Sequence, residues 1–233
     1  MKIAIIGYGK MGRTIEKLAI KEKMEIVCII DKNVQKGDLS KADVSINFCI
    51  PSAAVENIFK SFDCNVPVVC GTTGWLDDFE LVKKKCKEKE TAFIYSSNFS
   101  VGVNIFFKIN QYLSVLMNKY DSPYKINIEE THHKEKLDSP SGTAISLAES
   151  TIEKNNSFDS WTKNESSNSI SIISKREDKK IGVHSISFES KFDKIKIQHE
   201  AFSRDAFAKG SIIAAKWIKN KKGIFKMDDI LGF

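Results

Sequence analysis

Thirteen residues, Thr131 to Thr143, hold the densest chemistry in the chain. His132 and His133 are adjacent, Lys136 follows four residues after the first, and Ser141-Gly142-Thr143 closes the segment. Imidazole titrates near neutrality and can give or take a proton. A neighbouring ammonium can hold a carboxylate or donate a proton. Hydroxyls and amides at a helix start make a place for an anion. Together these groups suit a small carboxylate, although loop histidines and a plain helix cap would also account for them. No acid or thiol stands at metal-ligand spacing, so no metal is expected.

A second group opens the chain. Gly7-Tyr8-Gly9-Lys10-Met11-Gly12 matches G-x-G-x-x-G between an apolar strand (Ile3–Ile6) and a helical pattern (Met11, Ile15, Leu18). Such glycines allow a tight turn and close approach of a pyrophosphate to a helix N-terminus. Asp31 comes 19 residues after Gly12, at the end of the second apolar run, where a carboxylate can grip a ribose hydroxyl. Lys32 follows it and offers a charge to a 2′-phosphate, so NADH and NADPH both remain open. Gly71-Thr72-Thr73-Gly74 and Ser96-Ser97-Asn98-Phe99 each follow a strand, at the edge where open α/β sheets bind ligands. Ordinary turns would look the same.

These groups need strands and helices to place them. Apolar runs at Ile3–Ile6, Ile26–Ile30, Val44–Ile50, Val66–Cys70 and Thr91–Tyr95 alternate with helical patterns at Lys10–Ile20, Pro51–Phe62 and Trp75–Lys89. That alternation predicts a doubly wound parallel sheet. After Asn98 the pattern changes. A long helix is expected over Val103–Tyr120, a half-buried strand over Lys125–Thr131, and a helix over Thr143–Lys154. A polar loop follows at Asn155–Ser169, then strands at Ser169–Ser174, Gly182–Phe188 and Lys194–His199, forming a mixed or antiparallel sheet. A last helix, Asp205–Lys219, carries Phe207, Ile213, Ala214 and Trp217 on its apolar side. It is expected to return to the first domain. The division is then 1–99 with 205–233 for dinucleotide binding, and 100–204 for substrate and oligomer contacts.

Composition narrows the class. The chain has 233 residues, 28% charged and 42% hydrophobic, the balance of a globular protein. No apolar run approaches the ~18 residues of a membrane span, and the opening apolar stretch is too short for a signal-peptide core, so a cytoplasmic protein is expected. Five cysteines with no CxxC point to reduced thiols. The net charge of +6 is spread along the chain and includes only three arginines, which argues against nucleic acid.

Residues Glu130-Thr131-His132-His133, Lys136 and Asp138-Ser139-Pro140-Ser141-Gly142-Thr143-Ala144 resemble the E-x-H-H-x-x-K-x-D-x-P-S-G-T-A signature of the 4-hydroxy-tetrahydrodipicolinate (dihydrodipicolinate) reductases. The likeness runs nearly end to end. It includes Gly71–Gly74, Asn98–Asn104, Gly182 with His184, His199 through Gly210, and Met227–Gly232. It implies a Rossmann-type doubly wound sheet with an inserted α+β domain built on a mixed sheet. The implied activity is NAD(P)H-dependent reduction of a cyclic unsaturated dicarboxylate in lysine and diaminopimelate synthesis, by a homotetramer. By position, His132 is the implied acid/base residue and Lys136 the implied proton donor. His133, Ser141, Gly142 and Thr143 are the implied substrate contacts. Gly7, Tyr8, Gly9, Lys10, Met11, Gly12, Asp31, Lys32, Gly71, Thr72, Thr73, Ser96, Ser97, Asn98 and Phe99 are the implied cofactor contacts.

The chain departs from the pattern where Glu177 and Asp178 follow Arg176, and where Lys10 and Lys32 replace common arginines. Two rival readings stand beside this one. One is a nicotinamide-binding sensor without chemistry, which would have no need of a proton donor. The other is a semialdehyde dehydrogenase with Cys70 as nucleophile.

Overall fold

The computed structural model describes residues 1–32, 34–119, 124–164, 166 and 169–233. They gather into two compact units: Met1–Val101 with Arg204–Phe233, and Gly102–Ser203.

The first unit is built on β1 (Lys2–Ile6), α1 (Lys10–Lys21), β2 (Glu25–Asp31), β3 (Val34–Gly37), β4 (Val44–Asn47), α2 (Pro51–Asp63), β5 (Val68–Cys70), α3 (Phe79–Glu88) and β6 (Ala92–Tyr95). After the second unit the chain adds α6 (Asp205–Ile218), β12 (Gly223–Phe225) and α7 (Met227–Leu231). The strand order is β12-β6-β5-β4-β1-β2-β3. All neighbours are parallel except β2 and β3. Strand alternation sorts the side chains between two faces. Ile3, Ile5, Val69 and Ile94 pack with α1 and α6, whereas Val68, Cys70 and Phe93 pack with α2 and α3. The strands are therefore apolar on both sides, as parallel strands covered by helices must be. Each fully buried isoleucine or phenylalanine contributes about 1.5–3 kcal/mol. Pro51 starts α2 at a position where its missing N–H costs no helical bond.

The second unit contains α4 (Val101–Met117), β7 (Lys125–His132), α5 (Gly142–Lys154), β8 (Trp161–Thr162), β9 (Ile170–Arg176), β10 (Gly182–Glu189) and β11 (Lys194–Ala201). Its sheet has the order β11-β10-β7-β9-β8 and is mixed: β7 is antiparallel to β10 and parallel to β9. Ile126, Ile128, Ile172, Ile186 and Phe188 pack against Phe106 of α4 and Leu147 of α5. Among the described residues no helix is long and apolar enough to cross a membrane.

Several elements differ from expectation. The strand expected over Val44–Ile50 stops at Asn47, and the helix expected from Trp75 begins as a short 3-10 turn, Leu76–Asp78. Strands β3 and β12 were not anticipated: each is short, and neither has a buried residue to announce it. The polar segment after α5 contains β8; its residues 165, 167 and 168 lie outside the described set, as does Tyr120 at the expected end of α4. On α6 the buried face is Ala208, Ile212, Ala215 and Ile218 with Ala214. Phe207, Ile213 and Trp217 are only half-buried. Small residues lie innermost because the helix sits very close to the chain beneath it.

Gly210 shows how close. A Cβ placed there would lie 1.7 Å from the carbonyl oxygen of Phe99. Alanine favours a helix over glycine, yet here it must push main chain aside. Gly210→Ala is expected to destabilise the protein by about 1–3 kcal/mol, read as a lower urea midpoint.

Candidate active site

In the first unit the turn after β1 is shaped by contact. Gly7 has φ +87° and donates its N–H to Ile30 O at 2.7 Å. A Cβ at Gly7 would lie 2.1 Å from Phe48 O, and one at Gly12 would lie 2.2 Å from Gly7 O. Both positions need glycine. At Gly9, by contrast, a Cβ would meet nothing within 4 Å. Asp31 Oδ1 accepts a hydrogen bond from Tyr8 N at 3.2 Å, tying the end of β2 to the turn. The Tyr8 hydroxyl bonds Glu16, and the Arg13 guanidinium lies 4.6 Å from the Tyr8 ring centre. Lys32 sits just past β2 with φ +51°.

A cavity of about 450 Å³ is lined by Gly9, Lys10 and Met11 of this turn, by Phe48, and by Gly71, Thr72 and Thr73 after β5. Thr72 is itself fixed: its Oγ1 accepts from Cys49 N at 3.0 Å, and its carbonyl accepts from Trp75 Nε1 at 2.7 Å. After β6, Ser96 Oγ donates to Asn98 O at 2.7 Å, and Asn98 Oδ1 accepts from Ser100 N at 2.9 Å. Ser97 is half-buried in that turn. Phe99, expected beside the cofactor, is 1% exposed and packs in the core edge-on to Phe48. Open space bounded by the glycine turn and two hydroxyl-bearing residues fits a dinucleotide. Gly9, Lys10, Met11 and Gly71–Thr73 would line its site, with Gly7, Gly12 and Asp31 shaping the turn.

Cys70 does not fit the nucleophile reading. It is fully buried beneath α2 and α3, and burial pushes its thiol up to about 12. A thiolate is therefore not available at neutral pH.

In the second unit β7 alternates, so Ile126, Ile128, Glu130 and His132 all point to the buried face. His132 closes the strand, and its carbonyl accepts from Glu177 N at 2.8 Å. The turn that departs from the family pattern thus still pins this residue, while Asp178 pairs with Lys134 at 2.8 Å. Lys136 Nζ contacts both carboxylate oxygens of Asp138, at 2.7 and 2.8 Å. Arg176, in register with His132, donates to Asp138 O at 2.7 Å and to Lys136 O at 3.4 Å. It holds the Lys136 loop by its backbone. Ser141 caps α5, accepting from Ala144 N at 3.2 Å. Gly142 and Thr143 form the first turn; a Cβ at Gly142 would meet nothing within 4 Å. His133 is half-buried at the start of the loop.

Burial pushes the His132 imidazole down to about 4; His184, Lys136 and Arg176 push the same way, and Glu130 opposes them. At neutral pH His132 is uncharged. Burial alone would raise the Glu130 carboxyl, but the neighbouring His184 imidazole and hydrogen bonds from Ser141 and Ser174 outweigh it and hold the group at about 2.

Sequence reasoning gave no role to Glu130, Ser174 or His184. The fold aligns them across three strands, Ser174 opposite Glu130 and Glu130 opposite His184. Potential ligand atoms of Glu130, His132 and His184 lie within 4.8 Å of one another, although no spacing in the chain suggested such a set. One signal was present: Glu130 is a charged residue in the phase of β7 set by Ile126 and Ile128.

Two family models match, dihydrodipicolinate reductase N-terminus over residues 1–99 and C-terminus over residues 102–231. A 4-hydroxy-tetrahydrodipicolinate reductase of Christiangramia forsetii is 46% identical over 99% of this chain and 98% of its own. One from Archaeoglobus fulgidus is 35% identical, covering 99% of this chain and all of its own. Among solved structures, a dipicolinate-bound dihydrodipicolinate reductase from Paenisporosarcina sp. TG-14 superposes with a TM-score of 0.77 at 23% identity, over 97% of each chain. The glycine turn beside its cavity, the histidine–lysine loop on the second sheet and these likenesses agree: the chain belongs to the dihydrodipicolinate reductase family of NAD(P)H-dependent oxidoreductases.

Proposed function

We propose that the protein reduces 4-hydroxy-tetrahydrodipicolinate to tetrahydrodipicolinate in lysine and diaminopimelate synthesis, with Met1–Val101 and Arg204–Phe233 as its dinucleotide-binding domain and Gly102–Ser203 as its substrate domain. The observation that carries this is the loop from His132 to Thr143, which ends β7 on an imidazole and leads into the N-terminus of α5, with open space at Gly142. A cyclic dicarboxylate, the kind of molecule named in the Paenisporosarcina structure, suits these groups.

The substrate's 4-hydroxyl leaves as water with a hydrogen from the adjacent ring carbon, and the bound nicotinamide would supply the hydride that the unsaturated ring then takes up. The chain must supply a proton and hold two carboxylates. Lys136 carries the proton, and a substrate carboxylate competes with Asp138 for its ammonium. His132, neutral in the free protein, accepts and returns a proton beside it. Ser141, Gly142 and Thr143 present the helix N-terminus to one carboxylate, and His133 contacts the substrate beside them. Lys10 and Lys32 serve the cofactor phosphates as point charges, which leaves NADH and NADPH both usable. All reactants are water-soluble ions, consistent with a cytoplasmic enzyme. We also assign a homotetramer: Ile105, Ile109, Tyr112 and Leu116 form an exposed apolar stripe on α4, and β11 leaves one sheet edge unpaired. Light scattering in solution reads the assembly directly, and a monomer would refute it.

His132→Gln and Lys136→Ala are each expected to lower kcat by about 10²–10⁴, with NAD(P)H affinity, followed by fluorescence titration, unchanged. The assay is nicotinamide oxidation, with substrate generated in place by a synthase from pyruvate and aspartate semialdehyde. Wild-type turnover in both variants rules out the assigned roles.

The open positions give a second prediction. Gly142→Ala is expected to raise KM for substrate, and Gly9→Ala to weaken NAD(P)H binding, each with little change in thermal midpoint. Gly7→Ala should cost stability instead.

Stability should also follow pH with a fixed sign. The folded state holds both His132 and Glu130 below their ordinary values, so the unfolded chain binds more protons in each window. Stability is therefore full above about 6.5 and falls as His132 is passed down to about 4, then further as Glu130 is passed from about 4.5 to 2. Thermal melts from pH 7 to 4 should show a falling midpoint, with a flatter dependence in His132→Gln.

A further inference from the structure

Glu130 is left without a task by the roles above, yet it occupies the middle of the site. Its side chain is 0% exposed, on a strand face whose neighbouring positions are Ile126 and Ile128. An apolar residue there would extend the core at no electrostatic cost, whereas a buried carboxylate is tolerated only when donors surround it. The donors are specific. Ser141 N lies 3.0 and 3.2 Å from the two oxygens, Ser174 Oγ 2.7 Å from Oε1, and Arg176 Nη1 3.8 Å from Oε1. The remaining neighbours are histidines, with His132 Nδ1 3.5 Å and His184 Nε2 3.7 Å from Oε2. His132 Nδ1 is buried and makes no hydrogen bond among the described residues. His184 packs edge-on to His132, ring centres 4.9 Å apart, and its Nε2 reaches Ser141 Oγ at 3.2 Å. The other nitrogen of His132 faces Gly182, where even a Cβ would stand at 3.2 Å from Nε2.

We infer that Glu130 is a positioning residue: it keeps the Nδ1 proton of His132 turned toward itself, leaves Nε2 as the nitrogen that exchanges protons, and through Ser141 N fixes the imidazole relative to the first amides of α5. The inference rests on the reading of His132 as the acid/base residue. One carboxylate then sets two things the reaction needs in register, a proton-exchanging atom and an anion cradle. His184, which approaches the same carboxylate oxygen, packs edge-on against the ring and restricts its rotation. Charged or titratable groups facing His132 are Glu130 on its own strand, His184 on β10, Arg176 on β9 and Lys136 on the loop.

The test uses Glu130→Gln, which keeps the shape and removes the charge, in the full chain. Two readouts are taken. The first is kcat and substrate KM beside NAD(P)H affinity. The second is the long-range ¹H–¹⁵N spectrum of the resting protein, with His132 identified by its loss in His132→Gln. The wild type should show His132 protonated on Nδ1. Glu130→Gln should show a mixture of tautomers, a kcat lower by about 10- to 100-fold, the range seen when the carboxylate behind a metal-bound histidine is removed, and unchanged NAD(P)H affinity. A folded Glu130→Gln with kcat within twofold of wild type and the same tautomer overturns the inference, as does a wild type protonated on Nε2. If Glu130→Gln does not fold, Ser174→Ala removes one donor from the carboxylate without touching either histidine. It should show a smaller change of the same kind, and wild-type behaviour in it overturns the inference. If the wild type turns over no substrate, the functional reading fails, and the spectrum still decides whether Glu130 orients His132.

Discussion

A carboxylate taken out of water must find donors from whatever elements surround it, and that requirement organises the second unit. Glu130 draws on a strand to one side, a strand to the other and the first turn of a helix. The register of β7 against β9 and β10 therefore cannot slip by one residue without stranding the charge, since a slip would move Glu130 to the opposite face. The apolar residues of the same face supply most of the free energy of folding. The same slip would turn Ile126 and Ile128 out of the core, so the carboxylate and the apolar pattern specify one register together. Among its described residues the first unit has no buried carboxylate of this kind. Its precision comes from close main-chain approach, at Gly7 against Phe48 and at Gly210 against Phe99.

The parts legible in the sequence are those where one segment carries its own signal. The near-continuous apolar runs of β1, β5 and β6 declare strands covered on both faces, and G-x-G-x-x-G declares the turn between β1 and α1. The loop from His132 to Thr143 could be read because its chemistry is local. What escaped depends on partners far along the chain. Ser174 is 44 residues from Glu130, and only the parallel pairing of β7 with β9 makes them neighbours. Strand β12 escaped because three half-buried residues carry no period of their own; they become a strand by lying along β6. Phe99 shows a different limit, since its place after a strand says nothing of its ring, which fills the core beneath α6.

The family's own division of the chain and its division in space are not the same. The C-terminal family model runs through residue 231, whereas the compact second unit ends at Ser203. Helix α6 and strand β12 belong by descent to one half and by packing to the other. Their contacts explain it: α6 lies against α1 and covers Val44, Ile46 and Val69 on the first sheet.

That return also orders events on the ribosome. Residues 1–101 leave the exit tunnel with one sheet edge unpaired and one face covered only by α1, because β12 and α6 lie beyond residue 204. The second unit is one continuous stretch and has all of its partners by Ser203. It can finish folding while the earlier-made unit is still waiting, so the half that is synthesised first is the half that is completed last.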